Sequence, residues 1–392
     1  MRLLPEPPAQ AELVVIGGGI VGASTAFFAS RAGIPTLLLE GRQAVCTHTT
    51  AVAAGGYRLQ LEHREELDLV RRTVALLEGF AEETGQSVHD PDIRRQGYLW
   101  LTTDSSRVAA QRRLVERQRE WGVDGVELLT GDQARGRWPW LSEDVASARF
   151  RQQDGLVDPR RITMGLLEGC TAAVVVGCEV RGFRVEGGRL AGLETSMGAV
   201  GCGAAVIACG PLSGRVAGLA GIALPVEPVR RQRVVLWNEP AIPADAPMTI
   251  DEDTTAHWRP AGGGAYLLFP DPAERAAEPL DHVPADPGFA LRLLDPRSPV
   301  SVARTAPFWG EAFWRNTAQW AVQAGQYTMT PDQRPLIGPT EIDGLHVNTG
   351  YSGHGVMGGP AGSELLASIL AGRAGDNPFR LDRTFSAAAQ AF

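Results

Sequence analysis

Apolar positions near the start of the chain come first as unbroken runs and then in a looser, small-residue pattern. Leu13 to Ile16 is a short apolar run, and Gly17-Gly18-Gly19-Ile20-Val21-Gly22 follows at once. Small and apolar residues continue to Ala32 before Gly33, and Thr36 to Leu39 is a second run. This order predicts strand, glycine turn, helix and strand, a complete βαβ unit. Leu67, Val70, Val74, Leu77 and Phe80 recur at spacings of three and four, which predicts a helix over 62–84. Gln96 to Thr102 reads as a strand, and Ser105 to Trp121 as an amphipathic, arginine-rich helix with a solvated face. From 174 to 210 short strands alternate with glycines and end in Ala204-Ala205-Val206-Ile207-Ala208-Cys209-Gly210, a buried parallel strand closing on glycine. Residues 226–324 are rich in proline, tryptophan and alternating strands, unlike the start. Residues 331–370 return to a strand, a glycine-rich turn and a helix placed at Ala361 to Leu370.

The expected fold class is therefore α/β. A Rossmann-type domain with a parallel central sheet is assembled from 1–90, 150–225 and 325–392. An α+β domain with a mostly antiparallel sheet comes from 91–149 and 226–324. A chain of 392 residues is long enough for two such cores.

Composition narrows the function. A formal charge of -8 argues against bulk nucleic-acid binding, which needs a basic face. The sequence contains no lysine, so all 37 basic residues are arginine and Schiff-base chemistry is excluded. Five cysteines without a CxxC pair read as reduced, mostly buried thiols, and the expected compartment is the cytoplasm. The proline-broken first twelve residues do not read as a signal peptide, no apolar stretch is long enough for a membrane span, and no metal-ligand spacing occurs.

The glycine turn sits where a dinucleotide site requires it. Gly17 allows the tight turn, Gly19 the approach of a pyrophosphate, and Gly22 the close packing of helix on strand. The helix opening at Ile20 and Val21 aims unpaired N–H groups at the phosphates. Glu40 ends the second strand, 18 residues after Gly22, where an acid accepts ribose hydroxyls and disfavours a 2′-phosphate. Gly41, Arg42, Ala208 and Gly210 are assigned to the same cofactor surface. A second glycine-rich element, Thr349 to Gly359, precedes a helix whose N-terminus could face a flavin pyrimidine, so FAD is favoured over NAD.

Four segments together resemble the D-amino acid oxidase superfamily of FAD-dependent amine oxidoreductases, which includes monomeric sarcosine oxidase, glycine oxidase, and the β subunits of heteromeric sarcosine oxidase and L-proline dehydrogenase. They are Val15 to Gly22; Thr49-Thr50-Ala51-Val52-Ala53-Ala54-Gly55-Gly56-Tyr57-Arg58; Ala324 to Asp332 with Arg334-Pro335-Leu336-Ile337-Gly338; and Gly350-Tyr351-Ser352-Gly353-His354-Gly355. The resemblance implies a substrate sheet over the flavin's re face and hydride transfer from the carbon next to nitrogen to flavin N5, giving an imine that water hydrolyses. It places Thr49 and Thr50 near the pyrophosphate or flavin edge, the Val180 backbone by the adenine, and Gly353, His354 and Gly355 at the pyrimidine end. Gly325, Val356 and Met357 complete the implied cofactor set.

Departures from the family pattern matter as much. Ala324-Gly325-Gln326 carries no thiol where some relatives attach FAD, and Val52 stands about where others use a histidine, so FAD is expected to be non-covalent. His48 lies four residues from that position. The sarcosine oxidases use one lysine to activate oxygen and another to hold the substrate carboxylate; Met357 stands at the latter position. Glycine oxidase-like members have an arginine where Tyr327 stands, which leaves Arg58 as the carboxylate partner, its planar fork matching both oxygens.

Bland readings stand beside these. Arg58 could instead sit in a surface ion pair, Tyr327 could simply pack, and His354 could be a satisfied, half-buried histidine. His257-Trp258-Arg259-Pro260 resembles family strands near the pocket but reads more as core packing, Trp309, Trp314 and Trp320 read as core rather than an aromatic cage, and His63-Arg64-Glu65-Glu66 reads as a solvated helix face. The expectation is an FAD-dependent oxidoreductase acting on a small amine or amino acid, with Arg58, Tyr327 and His354 around the reacting carbon. Its acceptor is O2, or a protein or quinone if it is a dehydrogenase subunit. The rival of a different class is a non-catalytic FAD-binding assembly factor.

Overall fold

The computed structural model describes residues 1–315, 319–373 and 375–385. Seven strands form one sheet in the order Arg2–Leu3, Ala173–Val176, Thr36–Glu40, Leu13–Ile16, Ala204–Ile207, Leu345–Thr349, Leu336–Pro339. Every neighbouring pair is parallel except the last. The central strands are buried at nearly every position, which explains their continuous rather than alternating apolar pattern. Helix Ile20–Arg31 joins two of them and packs against helices Gly355–Leu370 and Pro159–Glu168. Its small residues Ala23, Ala26 and Ala29 are fully buried in that packing.

A second sheet of eight strands runs in the order Gln319–Met329, Glu227–Trp237, Gly264–Phe269, His257–Ala261, Met248–Asp251, Tyr98–Thr102, Ser147–Arg151, Val126–Thr130. It is antiparallel except where Met248–Asp251 meets Tyr98–Thr102. One face carries an apolar core built on Val234, Leu236, Trp258, Leu267 and Trp309. By alternation, the other face presents Tyr98, Trp100, Met248, Ile250, His257 and Leu268 towards the parallel sheet. A three-stranded antiparallel sheet, Val180–Glu186, Arg189–Thr195 and Gly198–Gly201, packs on the parallel sheet through Leu190, Leu193 and Val200. This is an α/β fold that joins a Rossmann-type parallel sheet to a mostly antiparallel one.

Local expectations change in three places. The helix read over 62–84 is two, Arg64–Glu78 and Phe80–Thr84, parted at Gly79. The helix expected from Ala361 begins at Gly355 and takes in Gly358, Gly359 and Pro360. Those residues have poor helix propensity, but a Cβ on Gly359 would lie 3.1 Å from Val21 Cγ2, so close packing on helix Ile20–Arg31 replaces propensity. Trp309 is fully buried, whereas Trp314 is 63% and Trp320 37% exposed, so the latter two are surface residues. Among the described residues no helix is long and apolar enough to cross a membrane, and no acidic, histidine and cysteine cluster is placed to hold a metal.

Candidate active site

Between the two sheets lies a cavity of about 810 Å³. At one end is the glycine turn. Gly17 has φ 110, a conformation costly for any side chain, and a Cβ there would sit 2.6 Å from the Ala208 carbonyl oxygen. A Cβ on Gly22 would sit 1.8 Å from the Gly17 carbonyl oxygen, so only glycine lets the helix approach the strand this closely. Glu40 braces the turn, accepting from the Gly18 N–H at 2.6 Å and from the Arg42 N–H at 2.7 Å. Thr50 Oγ1 accepts the first helical N–H, that of Ile20, at 3.1 Å. Thr49 Oγ1 donates to the Gln326 carbonyl, tying this segment to the larger sheet.

Of the residues assigned to the cofactor from sequence, Gly17, Gly19, Ile20, Val21, Glu40, Gly41 and Arg42 line this end, with Thr49, Thr50, Val180, Ala208 and Gly210. Gly353, His354, Gly355, Val356 and Met357 line the far end. Gly22 and Gly325 stand behind the wall: a Cβ on Gly325 would press on Val52 Cγ2 at 2.8 Å. His48 is engaged on both ring nitrogens, by Thr49 Oγ1 and by the Leu280 carbonyl.

The far end carries the residues singled out for chemistry. Arg58 follows the short strand Gly56–Tyr57 and is held by its neighbours: Leu59 N–H and Gln60 Nε2 donate to the buried Asp154 at 2.9 and 3.1 Å. The buried Arg58 side chain has its guanidinium 5.2 Å over the Trp100 ring. Nη1 donates to the Gln60 carbonyl at 3.1 Å and Nη2 to His354 Nε2 at 3.3 Å. An arginine can only donate, so His354 Nε2 is an acceptor and its proton sits on Nδ1, which reaches Glu66 Oε1 at 3.1 Å. Burial pushes Glu66 up, but the hydrogen bond from His354, with His63 and Arg58 nearby, holds it below its usual value.

Burial depresses the Arg58 guanidinium, Arg149 depresses it further, and Tyr98, Glu66 and Asp154 partly offset this. Arg149, also stacked on Trp100 at 4.7 Å, has Glu252 as an ion-pair partner at 2.7 Å. Arg58 has none among the described residues. It is a cation in a cavity wall whose hydrogen-bond partners, the Gln60 carbonyl and the His354 imidazole, carry no negative charge. Tyr327 is packed so closely on Gly353, the residue before His354, that a Cβ there would meet its ring at 2.5 Å. The Tyr327 hydroxyl makes no hydrogen bond among the described residues.

Two residues read as structural belong here instead. Glu66 is buried and forms the Glu66–His354–Arg58 chain; only its place on the buried stripe with Val70, Thr73 and Leu77 could have signalled this. His257 lines the cavity. Its Nδ1 lies 2.8 Å from the Thr255 carbonyl, so it carries the proton, and Nε2 is a lone-pair acceptor without a partner among the described residues. Burial lowers this ring from 6.5 to about 4, against the Thr255 bond and helped by Arg58.

The FAD-dependent oxidoreductase family known as DAO matches residues 12–369. The chain belongs to this family. Among its relatives, this DAO protein is 27% identical to FAD-dependent oxidoreductase domain-containing protein 1 of Bos taurus, over 93% of this chain and 82% of that one. It is 27% identical to sarcosine oxidase subunit beta of Rhizobium meliloti (strain 1021), over 97% of this chain and 89% of that one. Among solved structures, L-proline dehydrogenase from P. horikoshii superposes with a TM-score of 0.82 at 27% identity, covering 95% of this chain and 96% of that one.

This DAO protein is an FAD-dependent oxidoreductase, and its cavity suits the cofactor. The turn at Gly17 to Gly19 and the first turn of helix Ile20–Arg31 leave room for a pyrophosphate that any side chain would fill. Glu40 and Val180 line the cavity near this turn, and the N-terminus of helix Gly355–Leu370 opens onto the same cavity, where its dipole suits negative charge. No thiol occurs at Gly325, and non-covalent FAD, typical of this family, fits the residues there.

Proposed function

We propose that this DAO protein oxidises the carbon–nitrogen bond of a small amino acid, whose α-carboxylate is held by Arg58. One observation carries the reading: Arg58 is a buried, unneutralised cation in the wall of the FAD cavity, and a buried charge is costly until an anion joins it. When bound, FAD supplies the two-electron acceptor. Arg58 offers the carboxylate a planar fork, while His354 and the Gln60 carbonyl fix its rotamer from behind. Glu66 holds the His354 tautomer that leaves Nε2 able to accept. His257 Nε2 offers an acceptor for an amine N–H, and Trp100, Met248, Ile250 and Leu268 form an apolar wall that excludes water. The oxidation removes one hydride from carbon and one proton from nitrogen.

The test is anaerobic reduction of the holoenzyme. Amino acids or N-methyl amino acids bleach the flavin, while the same amines lacking the carboxylate do so at least a hundredfold less well, about the value of a buried charge-assisted pair. Equal bleaching by amines without a carboxylate sinks the reading. The acceptor is best read as something other than O2, because the sequence holds no lysine to play the oxygen-activating part. Reoxidation in air as fast as by a quinone or dye contradicts that.

A further inference from the structure

Alternation along strand Glu227–Trp237 turns Arg231 and Arg233 to the cavity side of the large sheet, and the register puts Arg259 on the same side through its pairing with Tyr266. Arg149 and Arg151 share that face, and each has a carboxylate: Glu252 at 2.7 Å and Asp154 at 2.6 Å. Arg231, Arg233 and Arg259 have none within ion-pair range among the described residues. Arg233 and Arg259 have other partners. Both lie on the Tyr266 ring, at 4.2 and 4.5 Å, and they donate to the Ala53 carbonyl, Gln323 Oε1 and the Pro260 carbonyl.

Arg231 is different. It lines the cavity, its guanidinium stands 5.8 Å over the Tyr327 ring, and its one side-chain hydrogen bond among the described residues runs from Nη1 to the adjacent Arg230 carbonyl. Its Nε is buried without a partner among the described residues. Arg230, on the opposite face, takes the nearby Glu274. The field of Arg233 and Arg259 makes the cavity more favourable still for an anion at Arg231. Tyr327 links the two cationic points: Arg231 lies over its ring, Gly353 lies against its edge, and the next residue, His354, bonds Arg58.

We infer that Arg231 is a second anion anchor, and that the amine taken by this cavity carries two acidic groups, one on Arg58 and one on Arg231. The inference rests on the amino-acid reading of Arg58. The second carboxylate can be on the nitrogen substituent, as in iminodiacetate, or on the side chain, as in aspartate; the chemistry at Arg231 is the same.

The holoenzyme is titrated with non-reacting acids, and the perturbed flavin spectrum is read. Succinate and malonate bind at least tenfold more tightly than propionate and acetate, as one further charge-assisted contact requires. In Arg231→Gln the diacid-to-monoacid ratio falls towards one, and Arg231→Lys restores part of it. Anaerobic reduction by iminodiacetate against sarcosine, and by aspartate against alanine, then shows which arm carries the second carboxylate. A ratio near one in the wild type, or one unchanged in Arg231→Gln, overturns the second anchor while leaving Arg58 standing. If neither mono- nor diacids perturb or reduce the flavin, the Arg58 reading fails and the second anchor falls with it.

Discussion

His257 shows how one side chain's protonation couples the site to stability. The unfolded chain takes up a proton at this ring near pH 6.5, the folded chain only near pH 4. Stability that depends on the neutral ring is therefore complete above pH 6.5 and is lost as pH falls towards 4. In His257→Gln that part of the pH dependence, at most about 3 kcal/mol, disappears from urea unfolding curves. A variant with the wild-type slope between those pH values contradicts a buried neutral imidazole. The same residue matters to substrate: loss of the Nε2 acceptor raises KM for an amine more than it lowers kcat.

Glu66 makes the complementary case. It sets the His354 tautomer and touches no substrate in the proposed arrangement, so it is a positioning residue. Glu66→Leu frees the imidazole to turn and loosens Arg58, lowering kcat/KM about tenfold, mainly through KM, and Glu66→Gln recovers part of it. The Glu66 role was not legible in sequence, and for His257 only a strand near the pocket was, as the alternative to core packing. An acid in the first turn of a helix is favoured by the helix dipole wherever it points, and its partner is 288 residues away. His257 is set by strand register: one residue of slip exchanges it with Trp258, which faces the opposite core.

At the level of elements, two helix N-termini frame the cofactor cavity, and each is fixed by contacts its own sequence does not encode. Helix Gly355–Leu370 is anchored by a buried cluster in which Asn348 Nδ2 donates to Thr25 Oγ1 and Ser363 Oγ at 3.1 and 2.9 Å, and the Tyr351 hydroxyl donates to Asn348 Oδ1 at 2.6 Å. Asn348→Leu strands these groups and costs about 2 kcal/mol, with weaker FAD retention read by ultrafiltration. Gly22→Ala places a methyl 1.8 Å from the Gly17 carbonyl oxygen and forces the turn open. That protein is purified largely colourless, and a yellow Gly22→Ala with wild-type melting contradicts the close-packing account. The first helix was legible because strand, turn, helix and strand are contiguous. The second was shortened to Ala361 because Gly358, Gly359 and Pro360 read as a turn when their packing against helix Ile20–Arg31 is unseen. Strand Glu227–Trp237 gives no clean alternation, since Arg230, Arg231, Gln232 and Arg233 are polar on both faces.

For the whole molecule, the two sheets divide the work. The parallel sheet brings glycine turns and helix termini to a dinucleotide, and the antiparallel sheet supplies a wall in which Arg231, Arg233 and Arg259 have no carboxylate partner among the described residues. The family and its cofactor were legible at both ends of the chain, where local motifs carry them. The substrate face was not, because it is assembled from strands scattered between Tyr98 and Met329, and its chemistry depends on which residues share a face. A sequence without lysine makes every fixed cation an arginine and favours planar recognition of carboxylates over point-charge contacts.

The measurement that bears most directly on the central claim is rapid anaerobic mixing of the holoenzyme with a panel of amino acids, comparing the wild type with Arg58→Leu. The account predicts flavin reduction by amino acids in the wild type, and at least a hundredfold loss of kcat/KM in Arg58→Leu with FAD retained. Flavin reduced equally fast by both proteins, or only by donors without a carboxylate, would contradict it.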